Sequence, residues 1–286
     1  MNRNEKIEYP YVEFYLTHSC NLSCSNCNRF NNFNIHGRTD WAKNVTIYEE
    51  WSKYIDFKLI GIIGGEPLLH PELADICTDI RKFWPNAEIM LVTNGLIFEN
   101  LKNINVVNSI IQNNIDLRIS IHDSKFASSV HKGIEKCFGK LKIKSQQNDP
   151  LFSTKGKTSS GVKIELWKFT HFHSVALKKN NNHYILHDSE SARAHHTCDM
   201  KHCHEFYDGQ LYKCGMVLTL PNLYDSKKIH IEINDSDVEL LKSYRPLTIE
   251  NIKNNPEFSV EHLQNVIPQC KFCPEKYENS LIFQEK

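Results

Sequence analysis

The sequence predicts an α/β protein: a parallel sheet wrapped by helices, forming a barrel or part of one, with a small cysteine-rich segment after it. Three observations predict this class. Short β-rich runs alternate with runs of helical period as far as about residue 170. Turns bearing glycine or asparagine close strand runs, as in Gly64-Gly65 and Thr93-Asn94-Gly95. Beyond that point the alternation fades and histidine and cysteine become dense, with eight of the fifteen histidines between His171 and His204.

The elements follow in order. Residues 11–17 are rich in β-formers and predict a strand running into the first cysteine group. Residues 46–57 predict a helix, with Thr46 and Glu49 in capping-box spacing. Residues 58–63 are a short apolar run, a buried strand ending at Gly64-Gly65. Pro71 opens a helix in which Leu73, Ile76, Cys77, Ile80 and Trp84 recur at helical spacing. Residues 88–92 and 116–121 read as strands, 98–112 and 125–142 as helices, and 162–169 as a further strand. The polar stretch 144–161 is expected to be an exposed loop. A domain change is expected near residue 170, giving residues 1–170 and 171–286.

Composition excludes some functions. With 34 basic and 34 acidic side chains there is no net field to draw nucleic acid or an anionic membrane. No apolar run approaches the roughly 20 residues of a membrane helix. The opening Met1-Asn2-Arg3-Asn4-Glu5-Lys6 has no apolar stretch behind it, so no secretory signal is expected and the protein is expected to be cytoplasmic. In a reducing compartment ten cysteines in so long a chain point to metal ligation rather than disulfides.

Cys20, Cys24 and Cys27 have the spacing C-x3-C-x2-C directly after a predicted strand. Three thiolates in so short a loop suit three irons of a 4Fe–4S cube and leave the fourth iron open to a small molecule. A zinc knuckle completed by His18 or His36 is the alternative. Cys198, Cys203 and Cys214 form a second group, and Cys270 and Cys273 a third.

The first group resembles the signature of the radical S-adenosylmethionine (radical SAM) superfamily. There it follows the first strand of a partial (β/α)6 barrel. Gly64-Gly65-Glu66-Pro67, after the second predicted strand, resembles the family's GGEP segment, whose edge binds the methionine amino group of SAM. A side chain at Gly65 would then be expected to push against that ligand. Asn94, in Thr93-Asn94-Gly95, and Ser120, in Ser-Ile-His-Asp, resemble further SAM-contacting positions, and all four motifs follow strand ends. Asn26 departs from the family, which usually has an aromatic residue there. The resemblance implies that a reduced 4Fe–4S cluster splits SAM into methionine and a 5′-deoxyadenosyl radical, which removes hydrogen from a C–H bond. It also implies a one-electron donor such as flavodoxin or ferredoxin.

Cys198 with Gly209-Gln-Leu-Tyr-Lys-Cys214, then Cys270-Lys-Phe-Cys273, resembles the SPASM/Twitch extensions of radical SAM enzymes. This implies a second, auxiliary 4Fe–4S cluster on Cys198, Cys214, Cys270 and Cys273, with a zinc site as the alternative. Cys203 fits the pattern less well. The function implied is oxidation or other modification of a small molecule by a radical SAM oxidoreductase. The alternatives are a peptide-modifying maturase or a non-catalytic iron–sulfur or zinc protein. Cys77 and Cys137 are read as core residues. His122 and Asp123 are weighed as substrate-facing and set aside, and no side chain is assigned as a catalytic acid or base.

Overall fold

The computed structural model describes residues 6–146, 153–168, 171–173, 176–255, 261–277 and 279–281. The first part is a run of four strand–helix units: β1 (Ile7–Tyr15), α1 (Trp41–Trp51), β2 (Ile55–Ile63), α2 (Leu73–Phe83), β3 (Glu88–Thr93), α3 (Ile104–Gln112), β4 (Asp116–Ile121) and α4 (Ala127–Phe138). Then come β5 (Leu141–Gln146), β6 (Ser153–Thr158), β7 (Lys163–Lys168), β8 (His171–His173), β9 (Leu177–Asn180), β10 (His183–Leu186), α5 (Ser191–Thr197), β11 (Glu205–Tyr207) and β12 (Gln210–Tyr212). The last elements are α6 (Gly215–Ser226), β13 (Ile231–Glu232), α7 (Asp235–Ser243), α8 (Ile249–Asn254) and β14 (Asn279–Leu281).

The main sheet has the order β12-β11-β1-β2-β3-β4-β7-β6-β5. From β11 to β7 every neighbouring pair is parallel. This is the parallel sheet that the alternation of strands and helices predicts, with antiparallel strands only at its two ends. The fifth parallel strand, β7, arrives through a hairpin rather than directly from α4. Strand β11, from far along the chain, fills the position beside β1.

The core forms where the helices cover the sheet. Leu73, Ile76, Cys77, Ile80 and Phe83 of α2 are buried as the spacing predicts, each large side chain contributing about 1.5–3 kcal/mol. In β4 the burial alternates, so Leu117, Ile119 and Ile121 face the helices while Arg118 and Ser120 face the other side. Gly61 of β2 leaves room for Tyr11 on that same side, since a Cβ there would lie 2.8 Å from the Tyr11 hydroxyl.

Several boundaries differ from expectation. The helix expected at 46–57 is Trp41–Trp51, capped by Asp40, whose side chain accepts from Lys43 N at 3.2 Å. Trp41, Tyr48 and Trp51 bury its inner face, and residues 55–57 join β2 because β1 pairs with that stretch. The helix expected at 98–112 divides into a 3-10 turn, Leu96–Asn100, and α3, which Asn103 caps. The helix expected at 125–142 ends at Gly139, whose φ of 77° suits a glycine stop.

The loop expected at 144–161 is contradicted. Residues 141–146 and 153–158 pair as the antiparallel strands β5 and β6 at the sheet edge. Lysines at 142, 155 and 157 made them read as a loop, yet lysines on an edge strand guard it against further pairing. Phe169, at the end of the predicted strand 162–169, lies outside the described residues.

Candidate functional site

The ends of β1 to β4 meet along one edge of the sheet. Leaving β1, the chain carries Ser19 and Cys20 past the end of β2, where Gly65 N donates to Thr17 O at 2.6 Å and Glu66 N to Ser19 O at 2.8 Å. The first cysteine loop is therefore laced to the GGEP segment by backbone hydrogen bonds. A Cβ on Gly65 would stand 2.6 Å from Asn31 Nδ2 and 2.7 Å from the Ser19 carbonyl carbon. The close approach that requires glycine is thus to the cysteine loop itself, which corrects the expectation of a ligand pressing there. Gly65→Val is expected to displace Ser19 and lower the iron bound at the first site, measured as iron per chain after reconstitution. Unchanged iron would show that the loop tolerates the shift.

Glu66 is fully buried. Its carboxylate accepts from Leu68 N at 3.1 Å, Thr93 Oγ1 at 2.6 Å and Asn94 N at 2.9 Å. Burial pushes its pKa up to about 7, against the lowering effect of these three donors. Glu66 therefore ties the end of β2 to the end of β3. Asn94 completes the circuit, donating from Nδ2 to Asn21 Oδ1 at 2.7 Å inside the cysteine loop. Ser120 lies at the same edge, near the end of β4, paired in register with Trp167.

Cys20, Cys24 and Cys27 share this loop. Burial pushes the Cys20 thiol up to about 11 and the Cys24 thiol up to about 12, and the neighbouring thiolates of Cys27 and Cys20 add to the Cys24 shift. Mutual repulsion of this kind shows three sulfurs near one another, and coordination by metal cations removes the repulsion. Among the described residues, no three histidine, cysteine or acidic side chains converge on one point as ligands of a single ion do. In a four-iron cube each thiolate has its own iron, so the donor set suits the cluster.

The loop is anchored from behind by charges that the sequence reading missed. Arg29 donates to Glu13 of β1 at 2.6 Å and also pairs with Glu205 of β11. The side chains are 7%, 11% and 0% exposed, so the triad is out of water. Two carboxylates face one guanidinium, and burial pushes the Glu205 carboxyl up to about 8. Gly215, the first residue of α6, packs on the triad so closely that a Cβ would lie 2.6 Å from the Arg29 guanidinium carbon. A lone charged residue, Glu13, inside the otherwise apolar run 11–15 was the available signal.

Cys198, Cys214, Cys270 and Cys273 line one mostly apolar cavity, together with Lys213. Burial pushes the Cys214 thiol up to about 11 and raises Cys270 and Cys273, and the other thiolates of the set add to the shifts. Cys203 is not among the cavity's lining residues. Its thiol, pushed up to about 12 by burial, lies near Glu13, Arg29 and Glu205, between the two cysteine groups.

Residues 11–142 match a family model described as a 4Fe-4S single cluster domain. A probable GTP 3′,8-cyclase of Methanocaldococcus jannaschii is 35% identical over 94 residues, which is 33% of this chain and 31% of that protein. The GTP 3′,8-cyclase of Microcystis aeruginosa is 40% identical over 47 residues, 16% of this chain and 14% of its own. These matches span at most about a third of the relatives they concern. Over residues 11–142 the chain is similar to radical SAM enzymes. Among solved structures, BtrN in an open conformation aligns over 92% of this chain and 91% of its own, at 16% identity and a TM-score of 0.46.

The matching family model is that of a 4Fe–4S cluster domain, and the relatives are named as enzymes. The bystander residues have structural roles. His18 is buried against Tyr15, its Nδ1 3.0 Å from the hydroxyl, and burial lowers its pKa to about 4. His204 bridges Tyr9 and the Lys213 carbonyl, so its Nδ1–H donates and its Nε2 accepts. Asp123 caps a turn by accepting from Lys125 N at 2.9 Å. Cys77 is core, and Cys137 is half-buried against it. A cavity of about 450 Å³ opens at the opposite, N-terminal end of the strands, where its charges pair with one another, as in Arg118–Glu165 and Lys163–Asp116. No helix among the described residues is long and apolar enough to cross a membrane.

Proposed function

We propose that the protein reductively cleaves SAM and uses the resulting 5′-deoxyadenosyl radical to abstract hydrogen from a small molecule, as an oxidoreductase. The observation that carries this reading is the circuit of hydrogen bonds at the strand ends. It joins the three-cysteine loop to Gly65, Glu66 and Asn94 through Thr17, Ser19 and Asn21. A loop for a merely structural metal has no need of that coupling to a second and a third strand end. Cys20, Cys24 and Cys27 would hold the SAM-cleaving 4Fe–4S cluster. Gly64, Gly65, Glu66, Pro67, Asn94 and Ser120 would form the rim that holds SAM. When bound, the reduced cluster supplies the single electron that splits SAM.

The protein's own contribution is placement. Glu66 is consumed by three internal hydrogen bonds, so its role is to fix the rim, while the glycine backbone beside it faces the cysteine loop. Cys198, Cys214, Cys270 and Cys273 would hold a second 4Fe–4S cluster in a SPASM/Twitch-like segment, supported by their shared apolar cavity. The functional division is residues 1–170 for the SAM core and 171–286 for the auxiliary segment, with β11 and β12 lent back to the main sheet. An electron donor of flavodoxin or ferredoxin type fits a chain working in the cytoplasm.

The test is anaerobic reconstitution, followed by incubation of reduced protein with SAM and deuterated candidate substrates. About eight irons per chain are expected, as two four-iron cubes require, with deuterium passing into 5′-deoxyadenosine. Tight zinc with little iron would end the two-cluster reading. No 5′-deoxyadenosine from iron-loaded protein would end the enzymatic one.

A further inference from the structure

The cavity that gathers Cys198, Cys214, Cys270 and Cys273 also contains a buried cation. Lys213 is 2% exposed and lines the cavity. Its Nζ donates to the Leu263 carbonyl at 2.5 Å, and its backbone N donates to the Tyr244 hydroxyl at 2.8 Å, so both ends of the residue are held. Burial lowers the Lys213 pKa, and negative charge on Cys214, Cys270 or Cys198 would oppose that shift. A second positive feature meets the same sulfurs. Cys214 immediately precedes the first turn of the twelve-residue helix α6, where the N–H groups of Met216 and Val217 favour its thiolate. Glu205 opposes them, but it is engaged by Arg29.

A lysine this deeply buried carries a large desolvation cost, which the one carbonyl of Leu263 offsets only in part. Four thiolates on a four-iron cube carry net negative charge, and each electron added makes that charge larger. A fixed cation in apolar surroundings therefore stabilises the reduced form more than the oxidised one.

We infer that Lys213, aided by the N-terminal end of α6, raises the reduction potential of the cluster held by these four cysteines and so makes it an electron acceptor. The inference rests on the second-cluster reading above. Lys213 touches neither substrate nor SAM in this assignment and acts only through the cluster.

The experiment is a dithionite titration of the reconstituted full chain, followed by electron paramagnetic resonance, beside Lys213→Gln and Lys213→Met. One electron passes from dithionite to the cluster, and no bond is made or broken. Glutamine keeps a donor for Leu263 and removes the charge, whereas methionine removes both. In both variants the reduction equilibrium of the second cluster is expected to fall at least tenfold, about 59 mV for one electron. The first cluster should be unmoved. An unchanged second potential in Lys213→Gln would overturn the inference, and so would loss of that cluster's iron, which would make Lys213 an assembly residue. A wild-type chain holding only about four irons would instead overturn the second-cluster reading, and this inference with it.

Discussion

Replacing Cys20, Cys24 and Cys27 together with alanine is expected to lower the iron content from about eight to about four per chain and to abolish 5′-deoxyadenosine formation. The effect should be all-or-none, because these three thiols share one loop and its hydrogen-bond circuit has no other sulfur ligand. The fold should survive. The loop's anchors, Arg29 with Glu13 and Glu205, are untouched, and the aromatic cluster of Phe14, Trp41, Tyr48 and Phe206 lies on the other face of β1. Iron analysis, far-UV circular dichroism and chromatography of the nucleoside product measure the three outcomes separately. A triple variant that still makes 5′-deoxyadenosine would show that the assignment of the first site is wrong.

Removing Cys270 and Cys273 is expected to spare slow SAM cleavage and abolish product. Cys270 lies in a 3-10 turn and Cys273 closes it, with Phe272 buried between them, far in sequence from the first cysteine loop. A folding role is the competing account, since metal ligation in a small segment can supply its folding free energy. The structure favours a separable effect. Phe272 packs with Met216, Leu220, Leu223 and Leu241 in an apolar cluster that also takes in Phe30 and Ile35, just past the first cysteine loop. That cluster gives the segment a core independent of the metal. Limited proteolysis decides between the accounts: resistance with lost product supports the redox role, and cleavage after about residue 170 supports the structural one. Normal product formation would eliminate both.

The parts of the fold legible in the sequence were those whose signals are local. Strand β4 is read to the residue because apolar and polar positions alternate cleanly across 116–121. The start of α1 was misjudged because Thr46 and Glu49 imitate a cap, while the real cap, Asp40, precedes a tryptophan whose burial depends on Phe14 and Tyr48. The β5–β6 pair was hidden by its lysines, which suit the sheet edge and equally suit a loop. The four C-terminal cysteines were selected by spacing, and they do share a cavity, but spacing says nothing of Lys213, whose relevance depends on a fold that buries it. The Arg29 triad was illegible for the same reason. Its members are sixteen and 176 positions apart, and only the parallel pairing of β1 with β11 brings them together.

That triad also bears on the order of events during synthesis. The loop holding Cys20, Cys24 and Cys27 leaves the ribosome early, yet the carboxylate of Glu205 and the strand that covers the open flank of β1 come far later. At ordinary elongation rates the interval is roughly ten to forty seconds. Throughout it the nascent β1 presents an unpaired edge, a template for wrong partners, and Arg29 has only one of its two counter-charges. The first half of the chain therefore completes its sheet only once β11 has been made. Its metal-binding loop reaches its final anchoring after the auxiliary segment has begun to form, which makes the nascent chain's most exposed period coincide with the time when its cysteines are most open to oxidation.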